Sequence, residues 1–344
     1  MKRVILSVSL RAFFAKQSPP LSGRLLRAIA LVMTLFLLAA CSPAPSISAI
    51  TPPYIDTGID SEAWAIVPAG EFPSGSESHM TMIDYDYQIM VTDVTVEQYA
   101  NFLTEVVASG EASIGEFELE AGEEVWTEEG VAGYHPGDPF HEAKHEEEIK
   151  AGDHLYVSFI DGLRITRDGD TFTAIHEYTN HPMTMVSWFG ANAYCEYYDY
   201  SLPLKLEWEK AFRGTEVVGI DGYPFPWGYE IHGNNANYYS SFDVLEKMFG
   251  KLGNTTPVGF YNGNTYNIDG NSYETLDSAS PYGLYDMAGN VWQWMGDDHR
   301  DQHYRMMRGG SFYTYEVDLR AWKENSSGPI YYAPDVGFRC VRDN

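Results

Sequence analysis

The chain has 344 residues, with 22 Lys and Arg against 49 Asp and Glu and a formal net charge of −27 at pH 7. So acidic a protein does not favour nucleic acid or an anionic membrane face; it suits cation binding or solubility outside the cell. Aromatics make up 15% of the residues and 25 of them are tyrosine, a content that either pins a loop-rich fold or serves a surface that binds sugars or proteins.

In chain order, the first feature is a basic leader. Lys2, Arg3, Arg11, Lys16, Arg24 and Arg27 precede an apolar run from Ala28 to Ala40, with no acidic residue among them. That run, at about 13 residues, is short for a bilayer span. It ends Leu38-Ala39-Ala40-Cys41, which resembles a bacterial lipobox. The reading is a signal peptide over 1–40, cleaved before a lipid-carrying Cys41, with a Pro- and Ser-containing tether over 41–60. Ser42 rather than Asp after the cysteine points to the outer membrane or cell surface. Without the leader's six basic residues, 16 Lys and Arg face 49 Asp and Glu.

Residues 61–344 are enough for one large domain. Thr95-x-x-Gln98 has the form of a capping box, and Val96, Tyr99, Phe102, Leu103 and Val106 give a helical stripe, predicting a helix over 95–108. Residues 110–154 read as an acidic, low-apolar insertion. Segments 155–160, 163–167 and 171–176 read as short strands joined by Asp-Gly turns. Ser187 is placed to cap a second helix through Tyr198, and a third is predicted over 204–213, ended by Gly214. Beyond 215 Gly, Asn, Pro and Tyr dominate, which predicts loops over a small sheet.

His141-Glu142-Ala143-Lys144-His145 matches the zinc-protease pattern of two histidines on one helix face. Its context, inside the acidic insertion and followed by three more glutamates, favours a solvated charged segment.

The densest pattern is Gly283-Leu-Tyr-Asp-Met-Ala-Gly-Asn-Val-Trp-Gln-Trp294, followed by Arg308-Gly309-Gly310-Ser311 and Gly337-Phe338-Arg339-Cys340. Together with Val91–Phe102, Val186-Ser187-Trp188, Glu207-Trp208-Glu209, Pro226-Trp227-Gly228 and Thr256-Pro257-Val258-Gly259, it resembles the sulfatase-modifying-factor domain of formylglycine-generating enzyme over roughly 62–344. The resemblance implies an α+β, loop-rich, C-type-lectin-like fold. It implies a disulfide between Cys195 and Cys340. It implies calcium at Asp286, Gly289, Val291 and Gln293, with Gln293 standing where the family carries Glu, and a second calcium at Asn237, Tyr238 and Asp243.

The family's catalytic members hold copper with two cysteines placed three and eight residues after the serine of Arg-Gly-Gly-Ser. Here those positions are Thr314 and Leu319, neither of which offers the soft ligand copper(I) needs. Trp292, Ser311, Thr314 and Leu319 are the expected pocket walls. The resulting expectation is a surface-anchored, non-catalytic domain with calcium-stabilised loops that binds a protein or glycan partner. Two alternatives stand beside it. One is an oxidase or divergent enzyme acting on an exported protein. The other is a lectin-like display protein with its ligand surface at 312–335.

Overall fold

The computed structural model describes residues 52–121, 124–139, 148–216, 222–239, 241, 254–268, 270–298 and 304–344. The leader with Cys41, most of the tether, Asp243 and the His141–His145 motif lie outside the described residues. No helix among the described residues is long and apolar enough to cross a membrane.

Among the described residues there are three α-helices, and sixteen short strands arranged in six small sheets. Helix α1 (Val96–Ser109) begins where the sequence signals it. The Thr95 hydroxyl accepts from the Gln98 amide and the Gln98 side chain accepts from the Thr95 amide, and Gly110 closes the helix in the left-handed region. A cap of this kind is worth about 1 kcal/mol. Its buried face (Val96, Tyr99, Phe102, Leu103, Val106) packs on helix α2 (Trp188–Tyr197), where Tyr99 stacks on Tyr194 at 5.8 Å and Phe102 meets it edge-on at 5.4 Å. Ser187 caps α2 through the Gly190 amide.

Helix α3 (Lys205–Arg213) has an apolar residue, Leu204, where a capping side chain belongs. The vacancy is filled from elsewhere: the Lys205 amide donates to the Asp297 carboxylate and the Leu204 amide to Glu207 Oε2 at 2.7 Å. The far end of α3 is held by buried charge. Glu209 accepts from Arg213 at 2.8 Å, Arg308 at 3.3 Å and the Gly75 amide at 2.7 Å.

Strands β1 (Trp64–Val67), β4 (Tyr87–Met90) and β16 (Val341–Asp343) form one antiparallel sheet in which β4 pairs with both β1 and β16. A second sheet, in the order β14 (Asn325–Ser327), β13 (Arg305–Arg308), β12 (Trp292–Asp298), β15 (Val336–Gly337), carries the glycine-rich signature. Among the described residues, only β12 and β15 pair in parallel. Cys195 and Cys340 form a disulfide that joins α2 to the residues before β16.

The sequence left the order of the acidic insertion open. Much of it is sheet: β5 (Ala112–Ala121), β6 (Glu124–His135) and β7 (Gly152–Ser158) form an antiparallel meander. In β5, Phe117 and Leu119 turn inward while Glu116, Glu118 and Glu120 are exposed, a period-two pattern inside the acidic stretch. The hairpin β8 (Ile165–Asp168) and β9 (Thr171–Ala174) follows as predicted.

Among the described residues three core clusters share the domain, one around α1 and α2, one under α3 and β4, and a smaller one of Ile55, Phe260, Tyr261, Tyr266 and Ile268. The 145-residue separation of the bridged cysteines corresponds to about 5 kcal/mol in the chain-entropy treatment. Denaturant unfolding with and without reductant is expected to show a loss of up to that size. A loss under about 1 kcal/mol would show that core packing alone sets the stability.

Candidate functional site

The glycine-rich segment turns by alternating into the left-handed region at Gly283, Asp286, Gly289 and Asn290. For a residue with a side chain this conformation is uncommon, and asparagine and aspartate tolerate it best. Asn290 is held by its amide group: Oδ1 accepts from the Thr256 amide at 2.9 Å and Nδ2 donates to the Thr256 carbonyl at 3.1 Å. Asp286 Oδ2 accepts from the Gly259 amide at 2.6 Å. Burial pushes the Asp286 carboxyl up to about 6, against the pull of that amide and of Arg339.

Gln293 sits at the centre of the segment, fully buried. Its Oε1 accepts from Trp208 Nε1 at 2.7 Å and Arg339 Nε at 2.9 Å, while its Nε2 donates to the Asp286 carbonyl at 2.8 Å. The two donors fix which end of the amide is oxygen, because only a carbonyl oxygen can accept from both.

This arrangement bears on the calcium set. Asp286, Gly289, Val291 and Gln293 are brought together, and Asp286 keeps a hard oxygen. Gln293 does not serve as a ligand here: its oxygen is turned to two N–H groups and its amide hydrogens face Asp286, where a cation would need lone pairs. The full ligand set implied by the resemblance therefore does not fit. At the second expected site, Asn237 Nδ2 donates to the Asn254 carbonyl at 2.7 Å, and the Tyr238 carbonyl accepts from the Ser241 amide. Asp243 lies outside the described residues. Among the described residues no three His, Cys, Asp or Glu side chains converge on a common point.

The expected pocket is filled. Trp292, Ser311 and Leu319 are buried and Thr314 is half-buried. The Leu319 side chain occupies the space between two glycines. A Cβ on Gly310 would lie 2.6 Å from Leu319 Cδ1, and one on Gly289 would lie 3.2 Å from Leu319 Cδ2. Thr314 Oγ1 closes a tight turn, accepting from the Ser311 amide at 2.9 Å and donating to the Ser311 carbonyl at 3.1 Å. Both positions at which the family's cysteines would hold copper are thus part of the packing, and neither presents a soft ligand.

Two residues at this centre were not singled out from sequence. Asp335 Oδ2 accepts from Ser311 Oγ at 2.6 Å, and the Asp335 carbonyl accepts from the Trp292 amide. Burial raises the Asp335 carboxyl above the ordinary range, opposed by the Ser311 hydroxyl. Arg339 donates to Gln293, Met90, Val91, Asp93 and Tyr285; it stood in the Gly-Phe-Arg-Cys signature without a role assigned. Around the filled centre the surface is aromatic: Tyr313, Tyr315 and Tyr331 are 41%, 58% and 44% exposed.

A family profile described as the sulfatase-modifying factor enzyme 1-like domain matches residues 57–344. The chain belongs to this family. It is 31% identical over 197 residues to a protein of Chlamydia caviae named serine/threonine-protein kinase pkn1, across 52% of this chain and 27% of that protein. It is 30% identical to the inactive C-alpha-formylglycine-generating enzyme 2 of Bos taurus (49% and 52% covered). It is 29% identical to the formylglycine-generating enzyme of Mus musculus (52% and 48%). The chain thus spans between about a quarter and a half of the length of these curated relatives. Among solved structures, CarF is 20% identical with a TM-score of 0.49, covering 84% of this chain and all of its own. The fold is the α+β, loop-rich, C-type-lectin-like fold of the family.

Two outcomes follow from the packing of the domain. Leu319→Ala is expected to cost about 3 kcal/mol in denaturant unfolding, as for a core leucine; a cost near zero would place Leu319 at an open wall. Gln293→Glu swaps the amide donor for a charged acceptor. The variant is expected to show a calcium-dependent rise in melting temperature larger than any in the wild type. An equal response in both proteins would mean that Gln293 does not decide calcium binding at this loop.

Proposed function

We propose that this domain is a non-catalytic binding module of the sulfatase-modifying-factor family, held at the cell envelope by a lipid on Cys41, that binds a protein or glycan partner. The observation that carries this reading is the state of the two copper positions. Thr314 is locked into a turn with Ser311 and Leu319 is a buried plug. Neither a thiolate pair nor an open cavity stands where oxygen chemistry would occur. The chain's relatives include proteins named both as formylglycine-generating enzyme and as its inactive form, so loss of chemistry on this fold has a parallel.

The binding face is the rim around the filled centre. Tyr313, Tyr315 and Tyr331 offer large, stiff, amphipathic surfaces of the kind that contribute area at low entropic cost. Tyr315 packs edge-on against Tyr239 at 5.0 Å, which orients one face of its ring. Part of the glycine-rich segment behind this rim is held by the hydrogen bonds of Gln293, and calcium is not required at that residue.

The test pairs chemistry with binding. The purified protein is incubated with a cysteine-containing sulfatase peptide, with and without added copper, and the peptide is weighed by mass spectrometry. No formylglycine is expected; turnover overturns the non-catalytic reading. On a glycan array, Tyr315→Ala is expected to lower binding by about tenfold, the scale of a lost aromatic anchor.

A further inference from the structure

Arg164 precedes β8 and lies beside the aromatic rim. Its guanidinium carbon sits 4.4 Å over the Tyr178 ring, Nη1 donates to Thr255 Oγ1 at 2.5 Å, and Nη2 donates to Asn254 Oδ1. All three partners are neutral, and among the described residues no carboxylate pairs with it. Arg213, Arg305, Arg308 and Arg339 each have a carboxylate partner. Lys210 also rests on neutral partners, the carbonyls of Pro68 and Gly70, but it is sealed from solvent, whereas Arg164 is only half-buried.

Among the described residues, this cation has no counter-charge. Desolvation pulls Arg164 down to about 10, opposed only by the two tyrosines Tyr178 and Tyr313. The Tyr313 phenol senses the guanidinium in turn, which favours its ionised form against burial and the Asp335 charge. Hydrogen bonds join Arg164 and Tyr313: the carbonyl of Asn254, which holds Arg164, accepts from Asn237 Nδ2 at 2.7 Å, Asn237 Nδ2 also reaches Asn290 Oδ1 at 3.3 Å, and the Asn290 carbonyl accepts from the amide of Phe312, the residue before Tyr313. The chain's overall charge of −27 repels anions at long range, so anion affinity has to arise locally, where salt screens the wider field.

We infer that Arg164, with Tyr313 beside it, forms an anion-binding subsite of the aromatic face, and that the ligand is an acidic glycan bearing sulfate or carboxylate groups. This inference rests on the proposed binding face and names its ligand class. A guanidinium held by two neutral hydrogen bonds and a stacking ring is fixed in place with N–H donors to spare, and its planar donor set is the kind that suits a sulfate or carboxylate. The neighbouring tyrosine rings supply flat surfaces for the C–H faces of sugar rings. Asn254 and Thr255 fix the arginine without neutralising it, leaving the charge to the ligand.

The experiment uses the full chain and calorimetric titration with three probes: a sulfated hexasaccharide, its desulfated counterpart and sodium sulfate. Wild type is expected to bind the sulfated probe at least about tenfold more tightly than either of the others, the scale of a charge-assisted bond. Arg164→Gln is expected to erase that preference, and Arg164→Lys, which keeps charge but loses the fork, to retain part of it. Equal wild-type affinity for sulfated and desulfated probes overturns the proposal without any variant, so a folding defect cannot mask the answer. A tighter affinity for sodium sulfate than for the sulfated sugar marks a site for free anions and overturns the glycan assignment. If Tyr315→Ala abolishes binding of both sugars while Arg164→Gln changes neither, the aromatic face stands and the anion subsite falls.

Discussion

One buried guanidinium holds the domain's separate parts in register. Arg339 uses all of its donor groups: Nε on Gln293, Nη1 on the Met90 and Val91 carbonyls, Nη2 on Asp93 and the Tyr285 carbonyl. Those five acceptors belong to strand β4, the segment before α1, the glycine-rich turn and β12. The helices are short and the sheets have two to four strands, so regular structure alone leaves much of the backbone to be fixed by other means. Burying a charge is costly unless it is fully hydrogen-bonded. Arg339 meets that condition only when all four segments are in place, and so the charge selects one arrangement. Asp93 shares the constraint: burial and the nearby Asp286 push its carboxyl up to about 8 against the pull of Arg339.

Gln293 makes the same point for a neutral group. In a turn that needs a central cross-link, a calcium ion and a buried amide are alternative solutions. The ion gathers oxygens around a charge. The amide joins two donors and one acceptor through a fixed plane. The amide avoids desolvating an ion, and in exchange it depends on Trp208, Arg339 and Asp286 all being present. Leu319 follows the same logic at the neighbouring position, where dispersion and burial occupy space that a ligand pair would otherwise use.

What the sequence made legible was local. The α1 boundary followed from Thr95 and Gln98, and α2 from Ser187, because a cap and its acceptor lie three residues apart. Family membership was readable from the spacing of glycines and tryptophans, since a backbone that must turn left-handed or approach another chain segment closely tolerates few residue types. The remainder was non-local. Asp297 caps α3 from 92 residues away, and Asp335 meets Ser311 across a loop. The β5 strand hid its alternation inside Glu-Phe-Glu-Leu-Glu, where acidity masked the period. The filling of the pocket was not legible either, because residue identity at 314 and 319 tells which ligands are missing but not that leucine fills the volume.

Arg339 and Cys340 are neighbours in the chain, and they supply both the polar hub and the covalent tie to α2. Until these two residues have been synthesised, the Asp93 carboxylate lacks its arginine, Cys195 lacks its disulfide partner and Gln293 lacks one of its two donors. The order of synthesis is therefore the reverse of the order of consolidation. Nearly all of the domain is made before the hub and the tie can form, so Arg339 and Cys340 close a fold whose other parts already exist.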